Sequence, residues 1–291
     1  THWTSGITLN YAPAGGLQLN ATLGYDYVNQ RNTATTPFGN WFVPKGERLS
    51  QRFTTENRTI DFRATYRGDI GGIAANTSAG VNVNDQLISE VQGHSPRFSG
   101  PHNPTLTSGA IRNVIENSLR EVNAGFYVQE QLGFGDRLFL TGGLRVDGNS
   151  SFGDDLGLEP YPKASMSYVI SDEDFWPNFF EQTKIRAAYG ESGKAPGYFD
   201  AQKVWEPVQA KEGGAGVTPS NRGNPELAPE RSQEFEAGIE LSVADGRIGA
   251  DFTVYDRTTN DALVPVPQDP TLGFGGQELR NVGEIANSGV E

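Results

Sequence analysis

The chain has 291 residues, 36% of them hydrophobic, with 36 glycines, no cysteine and a formal net charge of -13. Without cysteine it can build neither a zinc–thiolate site nor a cysteine nucleophile, and an acidic chain with no basic patch is a poor partner for nucleic acid. No run approaches the ~18–20 continuous apolar residues of a membrane-spanning helix, yet strands that alternate apolar and polar residues cross a bilayer in chains whose composition looks soluble.

Taken in order, the chain opens on Thr1-His2-Trp3-Thr4-Ser5, which has no initiator Met and no basic or apolar stretch of a signal peptide. A first strand is expected over 3–11, closed by a short turn at 12–15. From 17 to 28 the period is two: Leu17, Leu19, Ala21, Leu23, Tyr25 and Tyr27 share one face, and Gln18, Asn20, Thr22, Gly24 and Asp26 the other. A long polar loop at 29–50 carries Trp41 and Phe42. Strands over 51–66 and 71–83 follow, joined at 68–71; Ile60, Phe62, Ala64 and Tyr66 oppose Thr59, Asp61, Arg63 and Thr65.

The next long loop, 84–118, contains His94 and His102, whose spacing fits no metal motif and reads as solvated loop histidine. Strands at 119–132 and 137–148 flank a turn at 133–136, and a loop at 149–160 includes Asp154 and Asp155. Strands at 161–170 and 184–190 flank a medium turn, 171–182, whose Phe175, Trp176, Phe179 and Phe180 suit the aromatic girdle at a membrane interface. Asp154-Asp155 and Asp172-Glu173-Asp174 match no EF-hand loop and read as turn charges.

Loop 191–231 carries Tyr198, Phe199 and Trp205. Strands at 232–243 and 247–258 meet at the turn 244–246, loop 259–284 follows, and an eleventh strand begins near Ile285. The glycine runs at 213–216 and 273–276 open no helix after a strand, so no phosphate cradle is expected. No nucleophile–base constellation is found, so the chain reads as no enzyme, with no cofactor and no metal site.

Two features separate a membrane barrel from a soluble sandwich. Several patterned runs last about 10–13 residues, enough to cross a bilayer at a tilt, whereas soluble strands centre near 5–6. Short and long connections alternate strictly, as they do where one barrel end faces the periplasm and the other the outside. Ten or eleven such strands in an open sheet would leave unpaired edges in lipid, so the expectation is an all-β, antiparallel transmembrane β-barrel, here partial.

Specific motifs then resemble one family. Arg145-Val146-Asp147-Gly148-Asn149-Ser150-Ser151-Phe152-Gly153 resembles the Arg-x-Asp-Gly-x-Ser-x-Phe-Gly signature of SusC/RagA-type TonB-linked (TonB-dependent) outer-membrane transporters. The segments 126–131, 138–144, 161–165 and 184–190 resemble the strands around it. Gly223-Asn224-Pro225-Glu226-Leu227-Ala228-Pro229-Glu230 resembles the family's approach from loop to strand. The run from Asn281 to Glu291 is similar to its Asn-x-Gly…Asn-x-Gly-x-Glu segment. These motifs cover about 120–291, and the earlier residues fit by architecture.

The resemblance implies a barrel of about 22 strands plugged by an N-terminal domain. On that basis residues 1–291 are one partial TonB-dependent receptor barrel domain, about half the strands, with plug and barrel ends absent. The resemblance further implies active import across the bacterial outer membrane, powered through TonB–ExbB–ExbD, with a SusD-type surface lipoprotein as partner and an oligosaccharide or peptide as nutrient. Two alternatives stay open: a siderophore or cobalamin receptor of the same fold, and a passive porin or structural surface barrel. A soluble carbohydrate-binding β domain stands further off.

Within the residues themselves, Arg145 and Asp147 share the polar face two positions apart and should pair there. The loop aromatics Trp41, Phe42, Tyr198, Phe199 and Trp205 are the candidate substrate contacts, because a sugar stacks its C–H face on an aromatic plane.

Overall fold

The computed structural model describes residues 1–101, 104–152, 157–177, 179–210, 213–244 and 246–291. His102, Asp154 and Asp155 lie outside the described residues, as does Gly153 of the signature.

Eleven strands form one sheet in the order β1-β2-β3-β4-β5-β6-β7-β8-β11-β12-β13. They are β1 (His2–Ala14), β2 (Leu17–Thr36), β3 (Glu47–Ile70), β4 (Ile73–Pro96), β5 (Asn113–Phe134), β6 (Leu138–Asn149), β7 (Glu159–Val169), β8 (Gln182–Lys194), β11 (Glu230–Val243), β12 (Ile248–Pro267) and β13 (Gln277–Val290). A separate antiparallel hairpin, β9 (Val204–Gln209) with β10 (Ala215–Asn221), stands in the connection between β8 and β11. All ten expected strands and the eleventh are present.

At the long-loop ends every strand runs past its expected bound. β2 runs on to Thr36, β3 begins at Glu47, β4 ends at Pro96, β5 begins at Asn113 and β13 at Gln277. His94 therefore sits in β4 and not in a loop, where Glu47 Oε2 lies 3.1 Å from its Nε2. The apolar alternation stops where burial in lipid stops, but the hydrogen-bond ladder does not need it and continues with polar residues on both faces. The tight turns follow their glycines: Gly71 and Gly72 both take positive φ, 65° and 88°, as a two-residue hairpin turn matching the strand twist requires.

The chain divides into two compact units. The first gathers Thr1–Thr8, Thr22–Asp61 and Val83–Val122. Its small core lies under two loops, where the backbone N–H groups of Arg97 and Phe98 donate to Gly46 and Lys45 and Phe98 is buried. The second gathers Leu9–Ala21, Phe62–Asn82 and Asn123–Glu291 and carries most of the charged pairs below.

The apolar residues do not form an interior. Among the described residues the fully buried hydrophobic side chains are few, whereas Ile7, Ile60, Phe126, Phe235 and Phe252 are about half exposed or more. In register, Ile239 lies opposite both Ile185 and Phe252, and Ala237 opposite Ala187 and Val254. Across β8, β11 and β12 this face is thus an apolar surface with no layer over it among the described residues. A soluble sheet must cover such a face; a transmembrane barrel turns it to lipid.

Candidate functional site

The opposite face carries the charges. In β6, Arg145 Nε donates to Asp147 Oδ2 at 2.7 Å, and Arg145 Nη2 lies 2.6 Å from Oδ1, a two-pronged pair. The expected pairing of the signature is therefore present. It has room because Gly125 of β5 lies opposite Asp147; a Cβ at Gly125 would stand 1.8 Å from Asp147 Oδ1.

A second network spans β8, β11 and β12. Lys184 and Asp251 both lie opposite Glu240 in register. Lys184 Nζ donates to Glu240 at 3.0 and 3.2 Å. Arg186 donates to Glu240, to both oxygens of Asp251 at 2.9 and 3.1 Å, and to Thr253 Oγ1 at 2.6 Å. Gly238 is the residue beneath it, where a Cβ would come 2.9 Å from Arg186 Nε. Between these clusters a trough of about 440 Å³ runs over Ser165, Ala188 and Gly190, edged by Lys163, Glu234 and Glu236. Small residues on two adjacent strands, β7 and β8, make its floor.

At the long-loop end the β8–β11 and β12–β13 connections are locked together. Asn281 of β13 accepts from the Ala228 backbone N–H at 2.9 Å and donates to the Ala228 and Asp261 carbonyls at 2.8 and 2.9 Å. Asn224 donates to the Leu279 carbonyl at 3.3 Å, and Leu227 is wholly buried. Two motifs noted separately in the sequence, around Asn224 and around Asn281, are thus halves of one interlock. Replacing Asn281 with alanine removes three hydrogen bonds and should loosen the loop by about 1–3 kcal/mol. Limited proteolysis within 195–229 of the full-length protein checks this; unchanged cleavage rates would contradict it.

Beside the interlock lies a cavity of about 1080 Å³ whose lining includes Lys203, Arg222, Asn224, Glu226, Glu278 and Arg280. Glu278 is buried, 6% exposed. It accepts from Arg280 Nε at 2.6 Å, and Arg222 Nη1 lies 3.6 Å away. Lys203 sits over the rings of Trp205 and Phe274, 5.5 and 5.2 Å from their centroids, and the two rings meet edge-on at 5.5 Å. Asp269, capping a short turn at Pro270–Leu272, is held below the usual carboxylate range by the Thr271 hydroxyl and backbone N–H.

Of the five aromatic candidates, the structure brings Trp205 into this cluster. Tyr198 and Phe199 lie earlier in the same connection, where the Phe199 carbonyl accepts from Asn221 Nδ2 at 2.9 Å. Trp41 and Phe42, 88% and 87% exposed, belong to the first unit, on a loop turned by Asn40 Oδ1, which accepts from the N–H groups of Phe42 and Val43. Sequence reasoning missed Lys203, Arg222, Phe274, Glu278 and Arg280. The one available signal was the alternation of Glu278 and Arg280, which puts both on one strand face.

The whole chain, residues 1–291, matches the family model described as TonB dependent receptor-like, beta-barrel. TonB-dependent receptor P26 of Formosa agariphila is 27% identical over 303 aligned residues, covering 97% of this chain and 30% of that protein. TonB-dependent receptor SusC of Bacteroides thetaiotaomicron is 22% identical, covering 94% of this chain and 28% of that protein. A solved structure of the RagAB peptide transporter superposes with a TM-score of 0.91 at 23% identity, over 99% of this chain and 33% of that one. The chain therefore spans about a third of the length of the proteins it matches.

Proposed function

Because the chain belongs to the TonB dependent receptor-like β-barrel family and forms part of the wall of a bacterial outer-membrane barrel, we propose that the whole protein actively imports a nutrient, an oligosaccharide or a peptide. Import draws its energy from TonB–ExbB–ExbD through an N-terminal plug lying against the charged face. A SusD-type surface lipoprotein closes over the long-loop end, which faces outside.

The observation that carries this reading is the cavity at that end, about 1080 Å³ and lined by charged and amide side chains. A pocket of this size lined by convergent polar groups is the form a ligand-binding site takes. The superposition on the RagAB peptide transporter supports the same class. Trp41, Phe42, Tyr198, Phe199 and Trp205 remain the proposed aromatic contacts to the nutrient.

Uptake of labelled oligosaccharides and peptides should be measured in the native host, in a strain lacking the gene and in a strain lacking TonB. Uptake of one class should vanish in both deletions. Undiminished uptake without TonB would reduce the protein to a pore.

A further inference from the structure

The geometry points to a cationic subsite in the outer cavity that takes the acidic ring of an anionic oligosaccharide, a uronate or a sulfate ester. This rests on the import reading and narrows its substrate class.

Around this cavity three cationic side chains, Lys203, Arg222 and Arg280, meet two carboxylates, Glu226 and Glu278. The lining itself carries one more positive than negative charge, with Asp269 near enough to Arg222 to feel its charge, in a chain whose formal charge is -13. The arrangement is built and not incidental. Glu278 is 6% exposed, and both arginines converge on it. One carboxylate cannot use two guanidinium groups, each with five N–H donors. Arg280 commits Nε and Nη2, and Arg222 reaches it through Nη1 alone. Both side chains stay about half exposed, at 45% and 50%. The buried carboxylate fixes the two forks, and their remaining donors face an accessible space. A planar carboxylate or a sulfate accepts such donors in pairs. Lys203 makes no ion pair among the described residues and supplies the third charge.

One neighbouring feature, reached through Lys203, favours a sugar over a peptide. Trp205 is half exposed and lies against Phe274, which is 6% exposed, giving an apolar plane beside the cations. An acidic pyranose offers the matching set on one ring: a C–H face for the indole and an anion for the arginine forks.

The test uses the full-length protein in detergent with its co-purifying lipoprotein. Titration calorimetry would compare four probes: tetragalacturonate, the same tetrasaccharide with its carboxyls reduced to alcohols, a sulfated galactose tetrasaccharide, and tetraglutamate. At least one anionic sugar should bind tenfold or more tightly than the neutral one. Arg222→Gln and Arg280→Gln should each remove about tenfold of that preference, with a heat-modifiable gel shift confirming an intact barrel. Lys203→Gln, on an exposed loop, should lower it in the same direction even where an arginine variant fails to fold.

Equal affinity for neutral and anionic sugars would overturn the subsite, as would a preference indifferent to all three substitutions. Tetraglutamate binding more tightly than either anionic sugar would overturn the assignment to a sugar. Failure of the import reading would look different: anion-selective binding with no TonB-dependent uptake. Uptake of a neutral nutrient without anion preference would spare import and remove the subsite.

Discussion

Ile239→Arg is expected to cost the membrane-inserted protein about 2–4 kcal/mol, because it places a guanidinium near the middle of the lipid-facing band. Ile239 is the central member of the apolar row Phe235, Ala237, Ile239, Leu241 and Val243 on β11, with Ile185 and Phe252 as its cross-strand neighbours. The same substitution at Ser165, on the charged face and exposed, should change stability by no more than about 0.5 kcal/mol. Equilibrium refolding of the full-length protein into lipid vesicles, read by the heat-modifiable gel shift, measures both. The contrast discriminates sharply. If the bare face met water, Ile239→Arg would also fall within about 0.5 kcal/mol, and that result would sink the lipid-facing assignment.

Gly125→Val is the second large effect, expected to cost about 3 kcal/mol through overpacking. Even the first added carbon would stand 1.8 Å from Asp147 Oδ1 and 2.6 Å from Arg145 Nη2. Either the Arg145–Asp147 fork breaks or β5 and β6 part locally. Both routes are relieved when the fork is already gone. In an Asp147→Ala background the same substitution should therefore cost at least about 1 kcal/mol less, a coupling typical of residues in contact. Urea-induced unfolding of the four proteins of the cycle gives the coupling directly; additive costs would mean that Gly125 is needed for some other reason.

The strands were legible because lipid on one side and water on the other impose period two on a chain, and that period is written in runs such as Phe235, Ala237, Ile239 and Leu241 against Glu234, Glu236 and Glu240. Where both faces meet water the imprint fades. The outer parts of β2 and β4, through Gln30-Arg31-Asn32-Thr33 and Asn84-Asp85-Gln86-Leu87, read as loop although they pair as strand. The β9–β10 hairpin escaped for the same reason, since neither of its short strands buries an apolar face.

The site was less legible than the wall. Trp205 stood out as a loop aromatic, but its neighbour Phe274 comes from another connection, and no local pattern predicts that meeting. Arg222 and Glu278 likewise come together only through the interlock at Asn224 and Asn281. The Arg145–Asp147 pair could be read in advance because its two members share one strand and one face.

That interlock also bears on how such a receptor could change its diet. The cavity is furnished jointly by the β8–β11 connection and by the start of β13, and the two are stitched by backbone bonds to Asn281 and Asn224. Transplanting one of them into another receptor would import half a lock and leave half-buried amides with nothing to hold. On the proposed reading the heritable unit of specificity is the pair, so recombination that altered it productively would have to carry both connections across together.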